Sequence, residues 1–235
     1  MTPRPSVELI FNPTTTPGTF LIRGANFISR KPFSYMGKQG DDNLIFGVSF
    51  KVNGLRPFSS YSLKDFTIKP LQIYGNTDEN IIPEEILGKL LRELSEQIFE
   101  ADNIPRKISL ANSFFIHKLG TANCIDHFTD HLIKELICTK GLMTINKLSS
   151  KYKINKRTIE RRILNVTGFT PKTLNRIIRF NFILKSCKHS GPKELPRIID
   201  EFGYYDASHF QKDFKSFTNL SPSSFFTKNY HVFQD

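Results

Sequence analysis

The sequence predicts an α+β protein: a β-rich N-terminal domain forming a small barrel or sandwich, a helical middle segment, and an all-α C-terminal domain of two units joined by a linker helix. Three observations carry this. Residues 1–82 set short apolar runs between turn signals, the apolar period becomes helical from Pro83, and the last 96 residues hold the whole excess of charge and repeat themselves.

In the first domain, apolar runs at 7–11, 20–22, 44–50 and 66–74 are separated by Asn12-Pro13, Pro17-Gly18, Asn53-Gly54 and Gly75-Asn76. Pro removes a ladder donor while Gly and Asn accept turn geometry, so these pairs delimit strands. Gly37-Lys-Gln-Gly40 superficially suggests a phosphate loop, but it lacks Gly-Lys-Ser/Thr and reads as a hairpin turn.

The middle segment, 83–139, opens with Pro83 in the first turn of a helix whose Ile86, Leu87, Leu90, Leu91, Leu94 and Ile98 share one face. Two further amphipathic stretches follow at 109–118 and 122–139, and Gly141 suits a helix stop. The apolar faces at 86–98 and 122–139 read either as homodimer surfaces or as ordinary core packing.

Residues 1–139 carry 15 Lys and Arg against 15 Asp and Glu, whereas 140–235 carry 18 against 7, so the net +11 lies in the last 96 residues. A domain charged in this way is built to meet a polyanion. No run of 18 apolar residues occurs and the N-terminus lacks the apolar core of a secretory signal, so a soluble cytoplasmic protein without membrane contact is expected.

Three cysteines without C-x-x-C spacing imply neither a disulfide framework nor a zinc ribbon. Cys124, His127 and His131 fall on one helix face, but a single helix rarely supplies a full zinc set, so no metal and no cofactor are expected. Neither Gly-x-Ser-x-Gly nor His-Glu-x-x-His appears, and residues 1–80 contain no His or Cys, which counts against a cupin-like enzyme in the first domain. The protein reads as a non-enzyme.

Within 140–235 an offset of 51 pairs Asn155 with Asp206, Ile159 with Phe210, Ile163 with Phe214, Val166 with Phe217, Thr167 with Thr218, Phe169 with Leu220, and Thr170-Pro171 with Ser221-Pro222. Asn155 and Asp206 are N-cap types ahead of an i, i+4 apolar pair, and Thr-Pro or Ser-Pro opens a second helix in each unit. Short amphipathic stretches at 145–152 and 195–202 precede the caps. The intervening turns differ by one residue, Lys153-Ile154 against Gly203-Tyr204-Tyr205. Helix, tight turn, helix is the geometry that seats a second helix in a major groove. Residues 172–185 read as the linker, with Leu174, Ile177, Ile178 and Phe182 apolar and Lys172, Arg176, Arg179 and Lys185 basic.

The segment Gly203-Tyr-Tyr-Asp-Ala-Ser-His-Phe-Gln-Lys-Asp-Phe-Lys-Ser-Phe-Thr-Asn-Leu-Ser-Pro-Ser-Ser-Phe225 resembles the signature of the AraC/XylS family of bacterial transcription regulators. The first unit resembles it more loosely, through Ile145, Leu148, Asn155, Ile159, Arg161, Gly168 and Thr170-Pro171. Departures are Ile199 where the first helix usually has a small residue, Lys153 at the usual turn glycine, and Asn219 before Ser-Pro. The N-terminal part is similar to a module preceding this domain in many Bacteroidetes-type regulators, through Val7-Glu-Leu-Ile-Phe-Asn12, Ile45-Phe-Gly-Val-Ser-Phe50, Gly54-Leu-Arg-Pro-Phe58 and Leu63.

The resemblance implies a DNA-binding activator that contacts double-stranded DNA and RNA polymerase, with a sensor or ligand domain for a small-molecule effector at residues 1–82. It implies recognition helices at about 155–166 and 206–217. On the first, Ile159 and Ile163 point inward, leaving Lys156, Arg157, Thr158, Arg161 and Arg162 at the groove. Arg157 and Arg161 suit bidentate contact with guanine, and Lys156 and Arg162 suit phosphate. On the second, Ala207, Ser208, Gln211 and Lys212 face the groove, Gln211 suiting adenine and Ala207 a thymine methyl, while His209 approaches the backbone or stays solvated. The alternative is a nonspecific or architectural nucleic-acid binder, distinguished by a small ratio of specific to nonspecific affinity.

Overall fold

The computed structural model describes residues 6–11, 20–24, 46–58, 90–122, 125–190, 192–218 and 220–228. Among these are three strands, β1 (Ser6–Phe11), β2 (Phe20–Gly24) and β3 (Phe46–Lys51), forming one antiparallel sheet in the order β2-β1-β3. Leu9 pairs with Ile22 on one side and Val48 on the other. Whether the sheet closes into a barrel or sandwich concerns residues outside those described. So do the turns expected at Asn12-Pro13, Pro17-Gly18, Gly37–Gly40 and Gly75-Asn76, the run at 66–74, the helix start at Pro83, and Cys124.

Strand β3 alternates as a strand with one covered face must, with Phe46, Val48 and Phe50 half-buried and Gly47, Ser49 and Lys51 exposed. The Asn53-Gly54 turn closes behind it, Gly54 N–H donating to the Lys51 carbonyl at 2.7 Å. Its covered face meets α1 (Leu90–Glu100) and α2 (Ile104–Gly120), where Leu91, Leu94, Ile98, Ala111 and Phe115 are buried with Leu55. Phe50 and Phe58 each meet Phe115 edgewise, and each other at a tilt, with ring centroids 5.1–5.7 Å apart.

Helix α2 begins five residues earlier than the pattern suggested, because Asn103 caps it by accepting from Arg106 N–H at 2.9 Å and Pro105 sits in its first turn. Helix α3 (His127–Cys138) begins five residues later than expected, at an Asp126 cap. Its Leu132, Ile133 and Leu136 join the C-terminal core, as Leu91, Leu94 and Ile98 of α1 join the N-terminal one. These apolar residues of both faces weighed as dimer surfaces or core are therefore covered within the chain, Ile86 and Leu87 lying outside the described residues. A bridge runs between the halves: Val52 is buried in the C-terminal core, and Asn53 donates to Asp130 of α3 at 2.6 Å.

The C-terminal half continues with α4 (Ile145–Tyr152), α5 (Lys156–Thr167), α6 (Pro171–Ser190), α7 (Leu195–Glu201), α8 (Ala207–Thr218) and α9 (Pro222–Lys228). The linker α6 has 20 residues, not fourteen, and is about 30 Å long at 1.5 Å per residue. It buries Leu174, Ile177, Ile178, Phe180, Ile183 and Cys187, whereas Phe182 is only half-buried. The first unit packs aliphatic residues around it; the second sets Phe214 and Phe217 against Phe180 and gathers Phe210, Phe225 and Phe226 around Phe214, with ring centroids 5.0–5.9 Å apart.

At the α3–α4 junction the chain turns through Lys140 at φ 52° and Gly141 at φ 76°, and Gly141 N–H closes back onto the Leu136 carbonyl at 2.8 Å. The glycine is required twice over: a Cβ there would lie 2.5 Å from the backbone oxygen of Asn175 in α6. Asn175 in turn donates to the Met143 carbonyl at 2.6 Å, and Arg179 to the Gly141 carbonyl at 3.2 Å.

Candidate nucleic-acid interface

The two units carry the same punctuation, with matching bonds at the helix exits and with cap bonds that reach two residues on in the first unit and three in the second. Asn155 Oδ1 accepts from Arg157 N–H at 2.8 Å and Asp206 Oδ1 from His209 N–H at 2.6 Å, so α5 and α8 start and stop 51 residues apart. At their ends, Thr167 Oγ1 donates to the Ile163 carbonyl and accepts from Phe169 N–H; Thr218 Oγ1 does the same with Phe214 and Leu220. Thr170 and Ser221 then cap the following helices, accepting from Thr173 and Ser224 N–H at 3.2 Å each. A threonine that back-bonds its own helix and caps the exit turn satisfies groups the helix end leaves orphaned.

The inter-helix turns also correspond. Lys153 at φ 52° occupies the left-handed position that Gly203 holds at φ 65°, so the departure from glycine leaves the turn intact at the cost of a strained lysine. Ser149 Oγ donates to the Ile154 carbonyl at 2.7 Å, a contact its counterpart Ile199 cannot make. The one-residue excess of the second turn falls at Tyr205, 94% exposed beside the start of α8. The extra residue is visible in the sequence; that it projects an aromatic ring into solvent is not.

Helix α5 buries Ile159, Ile163 and Val166 and exposes Lys156, Arg157, Glu160 and Arg161, with Thr158 half-buried. Glu160 went unremarked in the sequence; it shares the exposed side with both arginines, and a carboxylate there suits a cytosine amino group. Arg162, expected at a phosphate, has a partner within the chain. It is half-buried, its Nη1 donates to Asp126 Oδ2 at 2.7 Å, and its guanidinium lies 5.7 Å from the Phe128 ring centroid. Partial burial opposes ionisation of Asp126, but hydrogen bonds from Thr129 and the Arg162 charge hold its carboxyl below the usual carboxylate range.

Helix α8 buries Phe210, Phe214 and Phe217 and exposes Ala207, Ser208, His209, Gln211 and Lys212. The His209 ring meets Tyr204 edgewise at 5.2 Å. Asp213 is the unexpected member: only 7% exposed, it takes the Arg176 guanidinium at 2.7 and 3.1 Å and the Tyr204 hydroxyl at 3.2 Å. Burial, then the Asp213 charge, push the Tyr204 phenol well above its usual range, so it remains a donor. Arg176 and Arg179, counted as linker basicity in the sequence, are thus directed into the protein.

Among the described residues no group of three His, Cys, Asp or Glu side chains is placed to hold a metal, and no helix is long and apolar enough to cross a membrane. His127 and His131 are exposed, and His131 meets the Tyr152 ring edgewise at 5.7 Å.

A paired arrangement of this kind, two capped helices each behind a tight turn, is a double helix-turn-helix. Residues 148–228 match the family model for a helix-turn-helix domain, from within α4 to the end of α9. The match is to the AraC type, and it supports a DNA-binding domain of a transcription regulator at the C-terminal end of the chain. No curated protein and no solved structure matches the chain.

Proposed function

We propose that the protein is a sequence-specific transcription regulator that sets α5 and α8 into successive major-groove segments of one DNA duplex. What supports this most is the duplicated cap and exit geometry of two helices with exposed polar faces, joined by one helix about 30 Å long, near the ~34 Å repeat of the groove. On α5, Arg157 and Arg161 read bases, Glu160 joins them, and Lys156 and Thr158 meet the backbone. On α8, Ala207, Ser208 and Gln211 read bases while Lys212 and His209 meet phosphate.

Two readers in one chain do what a two-fold dimer otherwise does, so a monomer suffices for an extended site. Contact with RNA polymerase and a small-molecule effector acting through the N-terminal half extend the reading by family resemblance. Selection of bound sequences from random duplex DNA tests it: two conserved blocks about one helical turn apart are expected. An unenriched pool, with affinity for competitor DNA within about tenfold of that for any selected site, would leave the nonspecific binder standing instead.

A further inference from the structure

The positions 51 apart that anchor each recognition helix are Arg162 and Asp213, seventh after their caps. Each makes an ion pair with the helix preceding its own unit, or with that helix's cap. Arg162 meets Asp126 at the start of α3, 36 residues back, and Asp213 meets Arg176 of α6, 37 residues back. The two pairs occupy equivalent places with inverted polarity. Arg176 also donates to Ser216 Oγ at 3.2 Å and lies 5.1 Å from the Phe217 ring centroid, so it grips a full turn of α8. One turn further along α6, Arg179 holds the Gly141 carbonyl, and Asn175 holds that of Met143. Consecutive polar residues of one helix therefore tie it to both units.

We propose that Arg176 and Asp213 are positioning residues: their fork sets the rotation of α8 against the linker, and hence the spacing at which the second half-site is read. This rests on the proposed DNA-reading function. A buried ion pair adds little net stability over an apolar pair of the same size, because desolvation offsets the attraction. A bidentate arginine–carboxylate contact does, however, demand one relative orientation. The exposed face carrying Ala207, Ser208, Gln211 and Lys212 turns with the helix that Asp213 anchors. Lysine at 176 keeps the charge and loses the fork.

The test uses the full chain and the site it selects, with the interval between half-sites lengthened or shortened by one base pair. The wild type is expected to lose about tenfold or more in affinity on either change. Arg176→Lys and Asp213→Asn are expected to bind the second half-site alone within about threefold of wild type while their discrimination between intervals falls at least about fivefold. The reversed pair, Arg176→Asp with Asp213→Arg, copies the polarity of the first unit and is expected to regain part of that discrimination. Thermal melting checks folding, and Arg176→Lys carries the test if Asp213→Asn does not fold. Unchanged spacing preference in the variants, or a loss equal at every interval and for the single half-site, overturns the positioning role. A wild type that selects no site overturns the underlying function as well.

Discussion

Substituting glycines along the chain isolates the junction on which the two-unit domain depends. Three glycines differ in two respects: whether φ is positive, and what an added methyl group would meet. Gly120 ends α2 with nothing within 4 Å of an added Cβ, so alanine there is expected to be neutral or stabilising by up to about 1 kcal/mol. Gly203 sits at φ 65° with only Leu142 Cδ2, at 3.7 Å, near its Cβ position. Alanine there costs about 1–2 kcal/mol for left-handed backbone, less about 0.5 kcal/mol recovered from a stiffer unfolded chain. Gly141 adds overlap to the same backbone cost, with Asn175 O at 2.5 Å and Arg179 N at 3.0 Å. Neither is the free end of a side chain; both belong to the backbone of α6, so the helix and the loop must separate. Overpacking of that kind costs about 1–3 kcal/mol, and loosening the Asn175–Met143 and Arg179–Gly141 bonds about 1 kcal/mol more. Gly141→Ala should therefore lose about 3–5 kcal/mol, a large share of a domain's stability. Urea unfolding followed by far-UV circular dichroism measures all three variants. A Gly141→Ala loss within about 1 kcal/mol of that of Gly203→Ala would refute the close approach of loop and linker.

Other expectations test the site and its surroundings. Arg161→Ala should weaken binding to the selected site by about 1–3 kcal/mol and relax preference at one base pair, seen in a site-variant titration; unchanged affinity and preference would mean that α5 meets DNA in another register. Asp126 carries a lowered pKa in the folded state, so it binds fewer protons folded than unfolded, and the stability it contributes is present above about pH 4 and lost as pH falls through the lowered value. Asp126→Asn should flatten that acid limb of the Tm profile; parallel losses in variant and wild type would show that the Asp126–Arg162 pair does not stabilise the fold. Cys187 is buried in α6 and burial raises its thiol to about 11, whereas Cys138 is exposed. Maleimide at neutral pH should label Cys138 in the folded chain and spare Cys187 until denaturant is added, with peptide mapping as the readout.

Much of the C-terminal half was legible because its signals are local. N-cap side chains, Thr-Pro and Ser-Pro helix starts, and an i, i+4 apolar pair each act within one or two turns, so a repeat of residues became a repeat of hydrogen bonds. Helix ends placed by apolar period alone were misplaced. The linker runs on to Ser190 because residues 186–190 contain nothing that stops a helix, and α2 starts at Ile104 because Asn103 caps it there, ahead of the apolar period. What the sequence hid was direction. Arg162, Arg176 and Asp213 are polar residues between apolar ones, and period alone assigns them to solvent. Only the tertiary placement of α3 and α6 supplies the opposite charge that brings them inward. For the same reason the apolar faces of α1 and α3 left dimer surface and core packing both open, since their cover comes from the sheet and from the C-terminal core, distant in sequence.

The inward ion pairs also bear on what the net charge means. Arg176 pairs with Asp213 inside the basic region, so the two cancel and its excess of positive charge is untouched. Arg162 and Lys151 instead take partners from before residue 140, Asp126 and Glu135, at 2.7 Å each. The Lys151 ammonium and the Glu135 carboxylate each hold the other ionised, raising one pKa and lowering the other. Helix α3 thus supplies acid to the first unit at two points while Asn53 of the N-terminal half binds its Asp130. A shift of that half acting on α3 would change how firmly Arg162 is held by Asp126. Among the described residues the second unit's anchoring ion pair has no such link, since its arginine lies on the linker. If the N-terminal half controls DNA binding, the route that the described residues offer it leads to α5. Asp126→Asn should then raise affinity for the first half-site, by freeing Arg162, and leave the second unchanged, which titration against each half-site alone decides. Equal effects on both half-sites, or none on either, would place the control elsewhere.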